Sequence, residues 1–86
     1  MNKKITRQEV KEIVSNIILD VMDCNGEISG EQDLVLDLGI DSLDLTHIGT
    51  LLEQRFDITI EANELRKAHT VDELADLVSS YLFLVE

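Results

Sequence analysis

The chemistry-bearing side chains of this chain gather in one run, Asp37-Leu38-Gly39-Ile40-Asp41-Ser42-Leu43-Asp44-Leu45, which sets a single serine hydroxyl among carboxylates. Nothing adjacent could activate that hydroxyl as a nucleophile, which would need a base in hydrogen-bond reach and a further group to orient the base. His47 offers an imidazole suited to proton transfer near neutrality. It lies about one and a half helical turns after Ser42, however, and reads better as a contact for a partner on an exposed face. His69 stands just before Thr70 and reads as a loop residue; two distant histidines make no metal constellation. Cys24 is the sole cysteine, which excludes an internal disulfide and leaves the thiol as half-buried apolar filler.

The elements that must position Ser42 follow from spacing. Thr6-Arg7-Gln8-Glu9 has the pattern of a capping box, and Val10, Ile13, Val14, Ile17, Ile18 and Val21 then recur at three- and four-residue steps, predicting a helix from about Arg7 to Met22. From Asp23 to Ile40 the helical period is lost and Gly26, Gly30 and Gly39 intervene, so this segment reads as a long loop. Ile28, Leu34, Val35, Leu36 and Leu38 would tie it to the core. Asp41 is the predicted N-cap of a second helix, opened by Ser42, carried by Leu45, Ile48, Leu51, Leu52 and Phe56 and ending near Arg55 or Phe56. Asp57-Ile58-Thr59-Ile60 reads as extended, and Glu61 to Lys67 as a short helix anchored by Ala62 and Leu65. Thr70-Val71-Asp72-Glu73 repeats the capping-box spacing before a last stripe of Val71, Leu74, Ala75, Val78, Tyr81 and Leu82.

These elements predict an all-α fold with three main helices, a short third one and a long first loop. Eighty-six residues accommodate one domain, 1–86, and the lack of proline and scarcity of aromatics agree with helices packed through aliphatic side chains. The net charge of −11 is uneven: residues 1 to 20 sum to +1 and the remainder to −12. Between Asp23 and Glu64 eleven acidic residues face only Arg55. Such a surface excludes nucleic acid as an ordinary partner and favours proteins with basic docking patches. Residues 1 to 5 lead into an amphipathic segment, so neither a signal peptide nor a membrane span is expected, and the protein reads as a cytoplasmic monomer.

Asp-Leu-Gly-x-Asp-Ser-Leu at the head of the second helix, after a long acidic loop and in a chain of this length, resembles the acyl and peptidyl carrier protein family, and the resemblance runs from about Thr6 to Leu82. It implies a four-helix carrier bundle without catalytic activity, bearing 4'-phosphopantetheine on Ser42 and carrying its cargo as a thioester on that arm. Implied partners are a phosphopantetheinyl transferase, an acyl-loading ligase or transferase, and ketosynthase-type or other acyl-using enzymes with basic docking patches. The matching docking positions are Asp41, Leu43, Asp44, Glu53 and Asp57, joined by His47. Fatty acid, polyketide or related biosynthesis, or a peptidyl or D-alanyl cargo, would use the same arm.

A phosphate ester on Ser42 would lie at the first turn of a helix, where unpaired N–H groups and the helix dipole favour an anion. Asp41 and Asp44 oppose it, so a cation brought by the modifying enzyme is expected. Gly39 is read as permitting a tight approach. The second helix departs from the glutamate-dense pattern of fatty-acid carriers at Thr46-His47-Ile48-Gly49-Thr50 and at Arg55, which points to a specialised carrier with its own partners. Gly49, costing about 1 kcal/mol inside a helix, requires close packing or room for a ligand. Leu34, Leu52, Ile58, Ala62 and Leu74 are candidates to line a cargo pocket.

Three other readings compete. The sequence nearly matches a Gly-Asp-Ser-Leu hydrolase motif, interrupted by Ile40, but a small helical domain offers little scaffold for a base and an oxyanion hole. Asp23-Cys24-Asn25-Gly26-Glu27-Ile28 mimics the middle of an EF-hand loop, yet the terminal ligand positions fall on Val21 and Gln32, where carboxylates are needed. A carrier-like fold without an arm, serving as an acidic interaction module, is the third.

Overall fold

The computed structural model describes residues 5–24 and 26–83, so the predictions touching residues 1–4 and Asn25 lie outside the described residues. Four helices follow one another: α1 Arg7–Val21, α2 Ser42–Phe56, α3 Ala62–Lys67 and α4 Val71–Leu82. The all-α expectation of three main helices and one short one holds, with no strand among the described residues.

The helix starts are set locally. At α1, Glu9 N–H donates to Thr6 Oγ1 (3.1 Å) and Thr6 N–H donates to Glu9 Oε1 (2.8 Å), a complete capping box. At α4, Glu73 N–H donates to Thr70 Oγ1 (3.1 Å), but the Glu73 carboxylate accepts from His69 N–H (2.7 Å) and not from Thr70. The box closes one residue early, beside the isolated antiparallel bridge that pairs Thr70 with Asp33.

α1 packs against α4 and α2, while α3 bridges α2 and α4. Val10, Val14 and Ile18 of α1 meet Ile48 and Leu52 of α2 and Val71, Leu74, Ala75 and Val78 of α4 in one buried cluster, completed by Leu34, Ile40, Ile60 and Leu65. Burial of such aliphatic side chains, each contributing about 1.5–3 kcal/mol, is the main force holding the helices together.

The long first loop is ordered by carboxylates more than by apolar anchors. Asp33 Oδ1 accepts from Val35 N–H (2.9 Å) and Leu36 N–H (2.8 Å), and Asp37 Oδ2 accepts from Asp33 N–H (2.7 Å). The loop is stitched to the start of α4 by Leu34 N–H to His69 O (2.8 Å), Val71 N–H to Gln32 O (3.2 Å) and Asp72 N–H to Gly30 O (2.9 Å). Leu34 is buried as expected, with Ile28 and Leu38 packed at the edge of the core, and Ile40 is buried as well. Val35 and Leu36, expected to anchor the loop, are 63% and 85% exposed, because the Asp33-centred turn binds their amides and turns their side chains outward.

Two further expectations are corrected. Ala62 is exposed and Leu65 alone anchors α3. Cys24 is exposed and not half-buried, its thiol donating to Met22 O (3.4 Å) just past the end of α1.

Candidate prosthetic-group attachment site

Ser42 is the first residue of α2, placed there by its neighbours on both sides. Gly39 adopts φ +70°, a left-handed turn that L side chains rarely take, and releases the chain from the loop. A Cβ there would meet nothing within 4 Å, so Gly39 serves backbone conformation and not the tight approach expected of it. Asp41 is the predicted N-cap: its Oδ1 accepts from Asp44 N–H (2.8 Å), while Asp44 Oδ2 accepts from Asp41 N–H (3.4 Å). This reciprocal pair of aspartates is a capping box in which Asp stands for both usual partners, a role for Asp44 that its spacing from Asp41 could have signalled. Both carboxylates flanking Ser42 therefore face backbone amides. Thr46 and Thr50 bond back along the same helix, to Ser42 O (2.9 Å) and Thr46 O (3.1 Å).

Ser42 is exposed, and among the described residues no histidine or carboxylate takes a hydrogen bond from its hydroxyl. The side chain can be esterified but has nothing to make it a nucleophile of its own. Beside it opens a cleft of ≈ 380 Å³, lined by Leu34, Val35, Ile40, Asp41, Ser42, Leu45, Arg66, Ala68 and His69. Its floor is aliphatic. One wall carries Asp41 and Ser42, and the other, formed by the end of α3 and the link to α4, carries Arg66 and His69. A larger groove of ≈ 550 Å³ runs beside α1 near Asp20, Asp23, Cys24 and Arg55, away from Ser42 and its cleft.

Of the residues expected to line a cargo pocket, only Leu34 reaches the Ser42 cleft. Leu52 and Leu74 are wholly buried in the core, Ile58 is half-buried and Ala62 is on the surface. Gly49 is buried against α3, where an added Cβ would stand 2.6 Å from Leu65 Cδ2; close packing, not room for a ligand, accounts for it.

The six expected docking residues fall in two places. Asp41, Leu43, Asp44 and His47 occupy the first turns of α2, with Leu43 80% exposed and His47 exposed. Glu53 and Asp57 lie toward the far end, about 14 Å and about 20 Å along the helix from Asp44 at 1.5 Å per residue. Glu53 Oε2 accepts from Ile60 N–H (2.8 Å), and Asp57 is the left-handed C-cap at φ 57°, so both also terminate the helix. Sequence reasoning missed Val35 and Leu36, which extend the exposed apolar surface into the loop, and the side chains of Arg66 and His69, which line the cleft with Ser42. The segment around Asp23 ends α1, where Cys24 N–H bonds Leu19 O (2.9 Å). Among the described residues no three His, Cys, Asp or Glu side chains are grouped to hold a metal ion, and no helix there is long and apolar enough to cross a membrane.

Comparison with known proteins bears directly on this constellation. Residues 12–78, which contain Ser42 and both walls of the cleft, match the family model described as a phosphopantetheine attachment site. An acyl carrier protein of Coprothermobacter proteolyticus is 33% identical over 78 residues, covering 90% of this chain and 95% of the relative. One from Nitratidesulfovibrio vulgaris is 36% identical over 72 residues, covering 83% and 95%. A solved structure described as that of an acyl carrier protein from Mycobacterium tuberculosis superposes with a TM-score of 0.80 at 32% identity, covering 84% of this chain and 97% of that one. The helix order, the serine-headed second helix and the sequence matches agree, and the chain belongs to the acyl carrier protein family, whose prosthetic group is covalently attached 4'-phosphopantetheine.

Proposed function

We propose that Ser42 is the attachment point of the 4'-phosphopantetheine arm and that residues 1–86 act as one carrier domain. It would deliver acyl groups to enzymes of fatty acid, polyketide or related biosynthesis. The observation that carries this reading is the position of Ser42: exposed, first in α2, at the edge of an aliphatic-floored cleft, and within the stretch that matches the family model. When bound, the group supplies a terminal thiol on a long flexible arm, which holds the cargo as a thioester. Ser42 then works as an anchor. The residues fit such a group: Asp41 and Asp44 fix the helix start while their carboxylates are engaged by amides, and Leu34, Ile40, Leu45 and Ala68 offer an apolar bed beside the serine.

The partner surface of this reading comprises Asp41, Leu43, Asp44 and His47, with Glu53 and Asp57 at its distal end. It would dock basic patches of a phosphopantetheinyl transferase, an acyl-loading ligase or transferase, and acyl-using enzymes. His47, Gly49 and Arg55 support a specialised carrier with a dedicated partner set. A reducing, cytoplasmic setting suits the exposed thiol of Cys24.

The test is incubation with coenzyme A and a phosphopantetheinyl transferase, followed by intact mass measurement. The native protein gains one phosphopantetheinyl group and Ser42→Ala gains none; an unchanged native mass would refute the assignment. Equal loading by general fatty-acid-synthesis enzymes and by a dedicated ligase would remove the specialised reading.

A further inference from the structure

A phosphodiester on Ser42 would add a negative charge next to Asp41 and Asp44, and sequence alone suggests that an outside cation must offset it. The fold brings one from within the chain. Arg66 lies in the last turn of α3 and His69 in the link to α4, separated from Ser42 by more than twenty positions in sequence, yet all three line the same cleft.

Both side chains are exposed there. Among the described residues Arg66 enters neither of the two ion pairs, which join Lys11 to Asp72 (3.0 Å) and Lys67 to Glu64 (3.8 Å). His69 is fixed through its backbone: its carbonyl accepts from Leu34 N–H (2.8 Å) and its N–H donates to Glu73 Oε1 (2.7 Å). Among the described residues its imidazole makes no hydrogen bond, and His69 stands between the Ser42 cleft and a neighbouring one lined by Glu64, Glu73 and Asp76. Among the described residues the only carboxylate lining the cleft is that of Asp41, which already accepts from Asp44 N–H.

We propose that Arg66 and His69 are positioning residues that hold the phosphodiester of the group esterified to Ser42, laying the root of the arm across the cleft toward α3. The proposal rests on the reading of Ser42 as the attachment point. The phosphodiester is the anion selected because it is bonded directly to Ser42, which lines the cleft, whereas an anionic group on the cargo sits at the far end of a long arm. A guanidinium offers several donors to phosphate oxygens in a fixed plane, and a charge-assisted bond of this kind is about twice as strong as a neutral one.

The experiment compares apo and holo protein, the holo form made with coenzyme A and a transferase and verified by intact mass. By NMR, the Arg66 Nε–H and His69 ring resonances shift on loading, and nuclear Overhauser contacts appear between the arm and the Ala68 methyl. At equal loading those contacts are lost in the Arg66→Glu, His69→Ala double variant and kept in Arg66→Lys. A mass gain with Arg66 and His69 resonances unchanged would overturn the proposal alone. So would shifts that appear only when the loaded acyl group carries a free carboxylate, since the cargo would then be the ligand. A native protein that gains no mass removes the Ser42 reading, and the proposal with it.

Discussion

Gly49 of α2 and Leu65 of α3 meet with no space for one more methyl group, since a Cβ at position 49 would stand 2.6 Å from Leu65 Cδ2. Leu65 is the only buried residue of α3, so this contact seats the short helix on the long one. The helix-propensity cost of glycine is the condition of that seating.

Gly49→Ala sets two effects against each other: about 1 kcal/mol gained in helix propensity, and about 1–3 kcal/mol lost to overpacking. Overpacking wins, and thermal unfolding followed by circular dichroism shows a net loss of about 1 kcal/mol. In a Leu65→Ala background the clash is gone and the same substitution stabilises by about 1 kcal/mol. An unchanged sign in the two backgrounds would show that Leu65 is not what the glycine accommodates.

Asp41→Ala removes the side-chain acceptor at the start of α2 and costs about 1 kcal/mol, a fall in Tm of roughly 4–8 °C for a domain of this size. Asp41→Ser keeps a capping oxygen and recovers most of the loss. Transferase kinetics on the two variants at matched folded fraction then separate capping from the effect of charge beside Ser42.

Glu53→Ala leaves the Ile60 N–H without its carboxylate acceptor in a part-buried turn, costing about 1–3 kcal/mol in chemical denaturation. Glu53→Gln retains an acceptor oxygen and stays within about 1 kcal/mol of the native protein. The glutamine variant is therefore the one that reports on docking charge; weaker partner binding in the alanine variant would confound docking with the loss of the turn.

Leu36→Ser and Leu43→Ser change stability by no more than about 0.5 kcal/mol, as both side chains are largely in water. If the apolar surface around Ser42 meets partners, each raises KM for an acyl-using enzyme roughly tenfold, the equivalent of about 1.5 kcal/mol of lost burial. Unaltered KM with both residues changed together would place the interface elsewhere.

Much of the architecture was legible because it is written in short-range patterns. Thr6 and Glu9, Asp41, and Thr70 mark helix starts through bonds spanning three residues, and the apolar stripes of α1, α2 and α4 continue from them. What escaped depends on groups brought together by folding or on one hydrogen bonding pattern displacing another. Asp33 captures the amides of Val35 and Leu36, so two residues that look like anchors face outward. Glu73 takes the His69 N–H in place of the Thr70 N–H that the capping-box spacing points to. The same holds at the site: Ser42 and its cap were readable in one contiguous run, whereas Arg66 and His69 join it only after α3 folds back, and no local signal announces them.

α3 spans six residues, its N-cap Glu61 lacks a side-chain capping bond, and Leu65 is its sole buried residue. Segments held by so few contacts open locally at a small fraction of the global unfolding free energy. In hydrogen exchange the amides of Leu65 to Lys67 should therefore lose protection well before those of Val14 or Val78, which lie in fully buried turns of α1 and α4. The wall facing Ser42 would then be a hinged panel, able to swing aside for a bulky passenger or a docking enzyme while the three long helices stay shut.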